Sequence, residues 1–391
     1  MCPEAPAPPT WGFGVRVFHL ATQLARRHRV TLLAYASSAQ LSDWSELARS
    51  LHRVRPVQPP PSFRSRRRRQ LISLCGRSSF HLSALRSQAM QRAIQEELAG
   101  GGFDMVQVES SAMMCFDFGT TAVVLDEHNI EYDLLRQVAR VESSPVRRLY
   151  GAVEANKVRH DEREAWGRSD GCVTTSLGDE AVVRRTCTGL PTTVVPNAVD
   201  TDRLRPARAA ADPERMVFVG KMNYRPNADA VAWFARRVLP RVRRVRPGAV
   251  LEVVGDEVPA SLRGLAGVRY TGWVPDIRPF LERAGVVVAP LRAGGGTRLK
   301  ILEALSMARP VVSTTVGAAG IDVVSGMHLI LADEPDAMAD QILRLMADPA
   351  LGARLGAEGR SLMVDHYGWT AAANRLEAFH AEVTGGPARR R

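Results

Sequence analysis

The chain has 391 residues, 45% of them hydrophobic and 24% charged, and its formal charge at pH 7 is +11. Domains average about 150 residues, so this length predicts two domains, and the composition excludes a disordered, collagen-like or coiled-coil chain. Only Lys157, Lys221 and Lys300 are lysines, so nearly all of the basic residues are arginines. An arginine excess spread along the chain is more typical of a GC-rich genome than of a nucleic-acid-binding surface, so no nucleic-acid partner is predicted. Each lysine marks a position where a compact ammonium is favoured over a planar guanidinium.

The cysteines and the N-terminal residues indicate a protein of a reducing compartment. The five cysteines are odd in number, and no two have the spacing usual for metal ligands. The first residues, MCPEAPAPPTWGFG, lack the basic and then apolar segments of a signal peptide. No apolar stretch approaches the roughly 20 residues that a membrane-spanning helix needs. These features predict a cytoplasmic protein, at most peripheral at the inner face of a membrane.

Apolar runs of strand length recur along the chain, each followed by a longer stretch with helical periodicity. Runs that are apolar throughout indicate strands covered on both faces, and their alternation with helices predicts an α/β protein with parallel, doubly wound sheets. In the first half the predicted strands are 30–36, 105–108, 122–126, 171–175 and 193–196. In the second half they are 216–220, 250–255, 268–271, 286–289, 311–314 and 329–331.

A polar, proline-bearing segment separates the two halves. The predicted parts are an N-terminal domain, a hinge, a C-terminal domain, and a final helix with its tail: 1–196, 197–212, 213–368 and 369–391. One strand is missing from this pattern, because the helix predicted over about 15–27 follows only a proline-rich segment and prolines cannot lie in a central strand. Either that strand is lost or the true start lies upstream of Met1.

A glycine-rich loop is the first candidate binding site. The strand over 286–289 leads into Gly294, Gly295 and Gly296, and a helix is predicted from about Thr297. Glycines let backbone N–H groups approach a phosphate, and the dipole of the following helix favours its negative charge. Three charged residues come next in the sequence: Arg298, Lys300 and Glu303. Cations and a carboxylate at these positions can bind a diphosphate and a ribose together, and a bare glycine-rich turn is the alternative.

Two further glycines and two further cations lie at the ends of predicted elements. Gly12 and Gly14 precede the first helix, but the third glycine of the dinucleotide fingerprint is absent, so a nicotinamide enzyme is poorly supported. Lys221 and Arg225 follow the first strand of the second half and bring positive charge to its end.

A histidine flanked by polar residues follows a strand of the first half. His128, Asn129 and Glu131 come directly after the strand over 122–126, where they can contact a polyhydroxylated ligand. The alternative is a structural role, in which Asp126 or Asn129 caps the next helix.

Four stretches together resemble a known family: LDEHNIEYDLLR, VVPNAVDTDRLRP, VFVGKMNYRPNADAVAWF and GGGTRLKILEALSMARPVVSTTVGAAGI. The chain resembles glycosyltransferase family 4, the retaining GT-B enzymes, and in particular the members of that family in polysaccharide biosynthesis. The resemblance extends from Pro8 to about Val383. It implies two Rossmann-like domains that face a cleft, with a last helix that crosses back to the first domain. It also implies a nucleotide-sugar donor bound mainly by the C-terminal domain and a glycan or lipid-linked acceptor bound mainly by the N-terminal one.

The resemblance assigns roles to several of the candidate residues. The family has two glutamates with seven residues between them, and Glu303 matches the second, which binds the ribose hydroxyls. Gly295 stands at the first, so the carboxylate that contacts the donor sugar is missing and backbone N–H groups around this glycine are the expected substitute. His128 matches a histidine that contacts the donor sugar. Gly12 and Gly14 match the loop that faces the diphosphate.

The resemblance also implies a pair of cations that bind the diphosphate. Lys221 matches the first of them, and the second would fall at Pro226, so adjacent Arg225 is the expected replacement. Arg298 and Lys300 are further candidates. These groups would stabilise the departing nucleoside diphosphate. No Asp-x-Asp motif lies at a strand end, so neither a metal nor another cofactor is predicted.

Two other functions remain open beside a retaining glycosyltransferase. The glycine in place of the first glutamate suggests a catalytically silent GT-B-like binding protein. A nucleotide-sugar epimerase shares the fold and the donor, although its acid and base carboxylates are not evident in this sequence.

The densest charge in the chain is a run of arginines after three prolines: Arg64, Arg66, Arg67, Arg68 and Arg69. A solvated loop is one interpretation. The other is a peripheral contact with anionic lipid headgroups, worth about 1 kcal/mol for each arginine near the surface, which would bring the enzyme to a lipid-linked acceptor. Nucleic acid is disfavoured because no aromatic residues that could stack on bases are interleaved with the charges.

Overall fold

The computed structural model describes residues 1–7, 9, 11–36, 44–60, 73, 76, 78–142, 144–206 and 211–385. It consists of two compact units. The N-terminal unit comprises Met1–Pro196 together with the segment that begins at Trp369, and the C-terminal unit comprises Asn197–Gly368. Both units contain parallel sheets with helices against them, as the apolar runs predict.

Six parallel strands are present in the described residues of the N-terminal unit. They are β1 (Thr31–Tyr35), β2 (Arg53–Val57), β3 (Met105–Val108), β4 (Ala122–Glu127), β5 (Gly171–Thr174) and β6 (Thr192–Val194). β1 pairs with β2, and β3, β4, β5 and β6 pair in that order. Five of these strands were predicted. The exception is β2, whose charged residues and proline do not form an apolar run.

In the described part of this unit, seven α-helices precede Pro196. They are α1 (Gly12–Leu24), α2 (Ser45–Ser50), α3 (Phe80–Leu85), α4 (Gln88–Ala99), α5 (Glu131–Val141), α6 (Pro145–Arg168) and α7 (Leu177–Thr186). Their apolar faces cover the sheet, and the buried cluster includes Leu125, Trp166 and Cys172.

Met1 and Cys2 occupy the place of the strand that the sequence pattern lacks. The N–H of Cys2 donates to the carbonyl of Leu33 at 2.9 Å, on the β1 side. On the β3 side, the Met1 ammonium donates to the carbonyl of Gln107 at 2.6 Å, and the Met1 carbonyl accepts from the N–H of Glu109 at 2.9 Å. These two residues therefore join the two-stranded and four-stranded sheets by hydrogen bonds.

The C-terminal unit is built on one six-stranded parallel sheet. Its strands are β7 (Asp212–Val219), β8 (Val250–Val254), β9 (Val268–Gly272), β10 (Ala284–Ala289), β11 (Val311–Ser313) and β12 (Ile330–Leu331). Their order across the sheet is β12-β11-β10-β7-β8-β9. All six were predicted, with ends that differ by a few residues. The order reverses between β7 and β10, and ligands of doubly wound sheets bind at the carboxyl ends of the strands beside such a switch point.

Seven α-helices of the described range 211–368 cover this sheet. They are α8 (Arg225–Trp233), α9 (Leu239–Val245), α10 (Arg278–Arg283), α11 (Leu299–Ser306), α12 (Thr315–Ala318), α13 (Pro335–Ala347) and α14 (Pro349–His366). A π-helical turn over Phe234–Val238 joins α8 to α9. Alternate strand residues enter two separate cores: Phe218 and Val286 pack on one face, and Val217 and Val287 on the other. Burial on both faces explains why these strands are apolar throughout.

The last helix, α15 (Trp369–Gly385), belongs to the N-terminal unit. The Trp369 indole stacks on His19 of α1 with ring centroids 4.8 Å apart. Nε2 of His380 lies 2.8 Å from Oε1 of Gln107 at β3. Among the described residues, no helix combines the length and apolar composition that crossing a bilayer requires.

Candidate functional site

The carboxyl end of β7 is shaped by glycines. Gly220 has φ +154°, and a Cβ there would lie 2.6 Å from Nδ2 of Asn227 and 3.0 Å from Nζ of Lys300. Gly255, at the end of β8, has φ +153°, and a Cβ there would clash with the carbonyl oxygen of Gly220. The space beside β7 is therefore filled by an amide and an ammonium, and glycine is needed at position 220 to admit them.

Asn227 links two of the predicted cations. This residue is buried in the first turns of α8, and its Nδ2 donates to the carbonyl of Lys221 at 2.9 Å. Its Oδ1 accepts from Nζ of Lys300 at 2.7 Å. The ammonium of Lys300 also lies 3.9 Å from the centroid of the Phe218 ring, a favourable cation–π contact. The structure thus joins the Lys221 loop and Lys300, which are far apart in the sequence.

The glycine-rich loop follows β10, on the other side of the switch point. Gly294 has φ +155° and Gly296 has φ +64°, conformations that favour glycine. The guanidinium of Arg298 donates to the carbonyls of Gly295 and Gly296 and is buried. Arg298 therefore shapes the loop from within. Its predicted contact with a diphosphate stays a prediction.

Thr297 links this loop to Asn197, the first residue of the C-terminal unit. Asn197 donates from Nδ2 to the carbonyl of Thr297 at 2.8 Å, and its backbone N–H contacts Oγ1 of Thr297 at 3.4 Å. Helix α11 begins at Leu299, two residues later than predicted, because Arg298 has an extended backbone and lies just outside the helix.

Lys300 and Glu303 lie one turn apart on α11, and both are partly buried. Burial and the adjacent Arg298 guanidinium lower the pKa of Lys300 to about 7, against the opposing charge of Glu303. Burial also raises the pKa of Glu303 to about 7, against the positive charges of Lys300 and Arg203. Both groups therefore change their charge near neutral pH, which is typical of binding and catalytic sites.

Lys221 and Arg225 lie on the loop and first turn after β7, as predicted. Lys221 is partly buried, and Arg225 is exposed as the first residue of α8. Within the described residues the Arg225 guanidinium has no hydrogen bond or ion pair. The structure therefore leaves Arg225 available to an external anion, and its role in the diphosphate clamp stays a prediction.

His128 occupies the end of β4 in the N-terminal unit. Its Nε2 lies 3.0 Å from Oε2 of Glu109, which follows the neighbouring strand β3, and its ring lies 4.8 Å from the ring of Phe13. Burial raises the pKa of Glu109, but the hydrogen bond and charge of His128, the Met1 ammonium and Arg16 outweigh it and lower that pKa. Glu109 is therefore a carboxylate that orients the imidazole.

Asp126 lies beside His128 and is held by a cation. Both oxygens of Asp126 accept from the guanidinium of Arg16, at 3.0 and 3.1 Å, and both side chains are fully buried. Ligand atoms of Glu109, Asp126 and His128 lie within 4.8 Å of one another, a spacing that a metal ion can bridge. Because Arg16 already neutralises Asp126, this set fits an ion-pair network better than a metal site.

Asn129 and Glu131 lead into α5, where buried carboxylates surround them. Glu162 of α6 accepts from the backbone N–H groups of Glu131 and Tyr132, at 2.7 and 3.1 Å, and so caps α5. Burial raises the pKa of Glu131, which the hydrogen bond of Asn129 opposes. Glu127 accepts from Nε1 of Trp166 at 2.9 Å, and burial raises its pKa to about 8. The capping group is thus Glu162, not Asp126 or Asn129.

Gly12 and Gly14 do not lie in a loop, and that expectation is wrong. Both are in the first turn of α1, which begins at Gly12. A Cβ at Gly14 would lie 3.1–3.2 Å from the Trp11 indole, so this glycine lets the indole fold over the helix.

The arginine run at 64–69, for which a contact with anionic lipid was predicted, lies outside the described residues.

Residues 213–348 match the sequence model of the family Glycosyl transferases group 1. The C-terminal unit therefore contains a segment similar to group 1 glycosyl transferases. A glycogen synthase of Mycobacterium tuberculosis is 26% identical over 196 residues, which cover 46% of this chain and 46% of that protein. A GDP-mannose-dependent alpha-(1-6)-phosphatidylinositol monomannoside mannosyltransferase of Mycolicibacterium smegmatis is 29% identical over 210 residues, which cover 46% of this chain and 54% of that protein. The chain spans about half the length of the curated relatives it matches.

Solved structures resemble nearly the whole chain and not only the segment 213–348. Sucrose-phosphate synthase from Thermosynechococcus elongatus has a TM-score of 0.72 and 17% identity, with 98% of both chains covered. Anabaena Alr3699/HepE in complex with UDP-glucose has a TM-score of 0.68 and 13% identity, with 97% of this chain and 98% of that chain covered. At these identities the likeness concerns the fold, and it confirms the predicted GT-B class.

Sequence reasoning missed Asn227, Asn197 and Glu109. Glu109 had a detectable signal, because it follows β3 directly just as His128 follows β4, and the carboxyl ends of neighbouring parallel strands meet at one edge. Asn227 and Asn197 of the C-terminal unit had no such signal, because Asn227 contacts Lys300 across 73 residues and Asn197 contacts Thr297 across 100 residues.

Proposed function

We propose that the protein is a glycosyltransferase that moves a sugar from a nucleotide-sugar to a glycan or lipid-linked acceptor, with retention at the anomeric carbon. The observation that carries this proposal is the group of residues at the switch point of the C-terminal unit. The Lys221 loop and the Lys300 ammonium are joined by one amide, and Glu303 lies one turn beyond Lys300. This arrangement can bind a diphosphate and a ribose side by side.

The reaction requires stabilisation of a leaving nucleoside diphosphate. Lys221 and Arg225 would bind the diphosphate as negative charge develops on it, because positive groups fixed in advance do not have to reorganise during bond cleavage. Glu303 would accept hydrogen bonds from the ribose hydroxyls. The N–H groups of Gly295, Gly296 and Thr297 would contact the donor at the start of α11, where the helix dipole favours negative charge.

The polar group of the N-terminal unit suits contact with a sugar. His128, oriented by Glu109, offers an imidazole nitrogen, and Asn129 and Glu131 offer an amide and a carboxylate beside it. Such groups donate to and accept from hydroxyls. We assign His128 to the donor sugar, and Asn129 and Glu131 to the acceptor.

A nucleotide-release assay tests this proposal. The purified protein is incubated with GDP-mannose, UDP-glucose and other nucleotide-sugars in the presence of candidate acceptors, and the released nucleoside diphosphate and the product anomer are measured. A glycosyltransferase releases the diphosphate and forms an acceptor-linked sugar of retained configuration. A silent binding protein would bind a donor without release, and an epimerase would return a nucleotide-sugar with altered configuration. Either outcome would contradict the proposal, and Lys221→Ala serves as the inactive control.

The arginine run at 64–69 supports a second, separate proposal about partners. We propose that these arginines bind anionic lipid headgroups at the inner face of the membrane and bring a cytoplasmic enzyme to a lipid-linked acceptor. Liposome flotation with and without anionic lipid tests this. Binding that does not depend on lipid charge, or that survives replacement of the four arginines 66–69 by glutamine, would contradict it.

A further inference from the structure

Asn227 makes two hydrogen bonds that no other side chain of its size could make together. Its amide nitrogen donates to the Lys221 carbonyl, and its amide oxygen accepts from the Lys300 ammonium. An aspartate could not donate to a carbonyl, and an alanine could do neither. The residue is only 7% exposed, so the amide is fixed by its packing.

The Lys300 ammonium is confined on several sides. Oδ1 of Asn227 accepts a hydrogen bond from one of its three N–H groups, and the Phe218 ring lies against it. A Cβ at position 220 would lie only 3.0 Å from Nζ, so Gly220 also packs closely against the ammonium. Within the described residues Nζ has no other hydrogen-bond partner, so two N–H groups remain for a ligand. Charged groups that face it are Arg298 and Glu303 on α11.

We propose that Asn227 is a positioning residue of the diphosphate site, which holds the Lys221 loop and the Lys300 ammonium so that both lysines bind the same diphosphate. The inference rests on the proposed function, because it needs a nucleoside diphosphate as ligand. The proposal adds Asn227 to the site as a residue that contacts neither the sugar nor the base of the donor. It also gives Lys300 a role in binding the diphosphate and not only in the packing of the fold.

The charge state of Lys300 gives this positioning role a distinct signature. Burial lowers the pKa of Lys300 to about 7, so the free protein is only partly protonated there at neutral pH. A bound diphosphate favours the ammonium, so binding should take up protons from the buffer above pH 7, where Glu303 is already mostly ionised. A residue that only stabilised the fold would not change this uptake.

Isothermal calorimetry with UDP, GDP and ADP at pH 8, where Glu303 is mostly ionised before binding, tests the proposal in two buffers of different ionisation enthalpy. The wild-type protein is expected to bind at least one of these nucleotides with net proton uptake. Lys300→Met should abolish most of the uptake and weaken binding roughly 10- to 100-fold, as expected for a lost hydrogen bond to a charged group. Arg236→Met removes an exposed positive charge from the same unit and should change neither quantity.

The double variant decides whether Asn227 acts through Lys300. Asn227→Ala should weaken nucleotide binding, and the combination Asn227→Ala with Lys300→Met should be less than additive. Asn227→Asp, which keeps the acceptor and adds a charge, should fix the proton on Lys300 and remove the uptake even where Asn227→Ala does not fold. Full additivity, or unchanged uptake in Lys300→Met, would overturn the inference while the proposed function stands. If the wild-type protein binds none of the nucleotides, the proposed function fails and the inference fails with it.

Discussion

Arg16 and Asp126 form a two-pronged ion pair at the centre of the N-terminal unit, with both side chains fully buried. Arg16 also donates to the carbonyl of Val195 at 2.8 Å, so it connects α1, β4 and the segment that follows β6. A buried ion pair of this kind contributes little to the stability of the fold compared with well-packed apolar residues of similar volume. The loss of one partner is nevertheless costly, because it leaves the other charge buried and uncompensated.

Asp126→Asn should therefore lower the free energy of unfolding of the N-terminal unit by about 3–5 kcal/mol. Urea unfolding followed by circular dichroism measures this change. Arg184→Gln is the matched control, because Arg184 is 62% exposed in its ion pair with Glu180, and its loss should cost less than about 1 kcal/mol. Equal changes in the free energy of unfolding for the two substitutions would show that burial of the Arg16–Asp126 pair does not increase the cost of breaking it.

Lys221→Ala and Arg225→Ala should each reduce kcat far more than they raise the donor KM. Each removes a positive group that acts on charge developing in the transition state, and the loss of one such group costs about 2.7–4 kcal/mol of barrier, or roughly 100- to 1,000-fold in rate. Steady-state kinetics with the donor found by nucleotide release measures both constants. Unchanged turnover in both variants would rule out the diphosphate clamp.

Nucleotide affinity should have a maximum near pH 7. Glu303, with its pKa raised to about 7, gains the carboxylate that accepts ribose hydroxyls as the pH rises through that value. Lys300, with its pKa lowered to about 7, loses its ammonium over the same range. Affinity should therefore rise with pH on the acid side and fall on the basic side. The two groups interact, so the two apparent pKa values belong to the pair.

Glu303→Gln separates the two limbs of this profile. It should remove the rise on the acid side and leave the fall on the basic side, and Lys300→Met should do the reverse. The measurement is the nucleotide dissociation constant between pH 5.5 and 9. A profile that keeps both limbs in either variant would show that other groups titrate.

Glu109→Gln should lower kcat/KM by roughly 10- to 100-fold, the range expected for a hydrogen bond to a charged group. The substitution removes the carboxylate that orients the His128 imidazole at 3.0 Å. His128→Ala should be at least as severe, and the double variant should be no worse than His128→Ala alone. An additive double variant would mean that Glu109 acts independently of His128.

Most of the fold follows from the sequence because the sheets of both units are covered on two faces. Eleven apolar runs predicted strands, and all eleven are present, since burial on both faces leaves no polar positions to interrupt the pattern. β2 has no such signal. It carries Arg53, Arg55 and Pro56, which an edge strand tolerates, and among the described residues β2 pairs with β1 alone.

The candidate site followed from the sequence only in part. The glycine-rich loop and the two lysines could be predicted, because each lies directly after an apolar strand or at the start of a helix. The connection between the Lys221 loop and Lys300 could not be predicted, because it depends on the side chain of Asn227, which hydrogen-bonds Lys300 across 73 residues. The cap of α5 was missed for the same reason, since Glu162 reaches it from the middle of another helix.

Because α15 belongs to the N-terminal unit, that unit contains both the first and the last segments of the chain to be synthesised. Its residues from Trp369 onward pack with α1 and β3, which are made more than 250 residues earlier. On a ribosome, the C-terminal unit can therefore complete its own core while the N-terminal unit still exposes the apolar surface of α1 that α15 will cover. The part of the chain made first is the part that finishes folding last, so a chaperone that protects nascent chains would act mainly on the N-terminal unit.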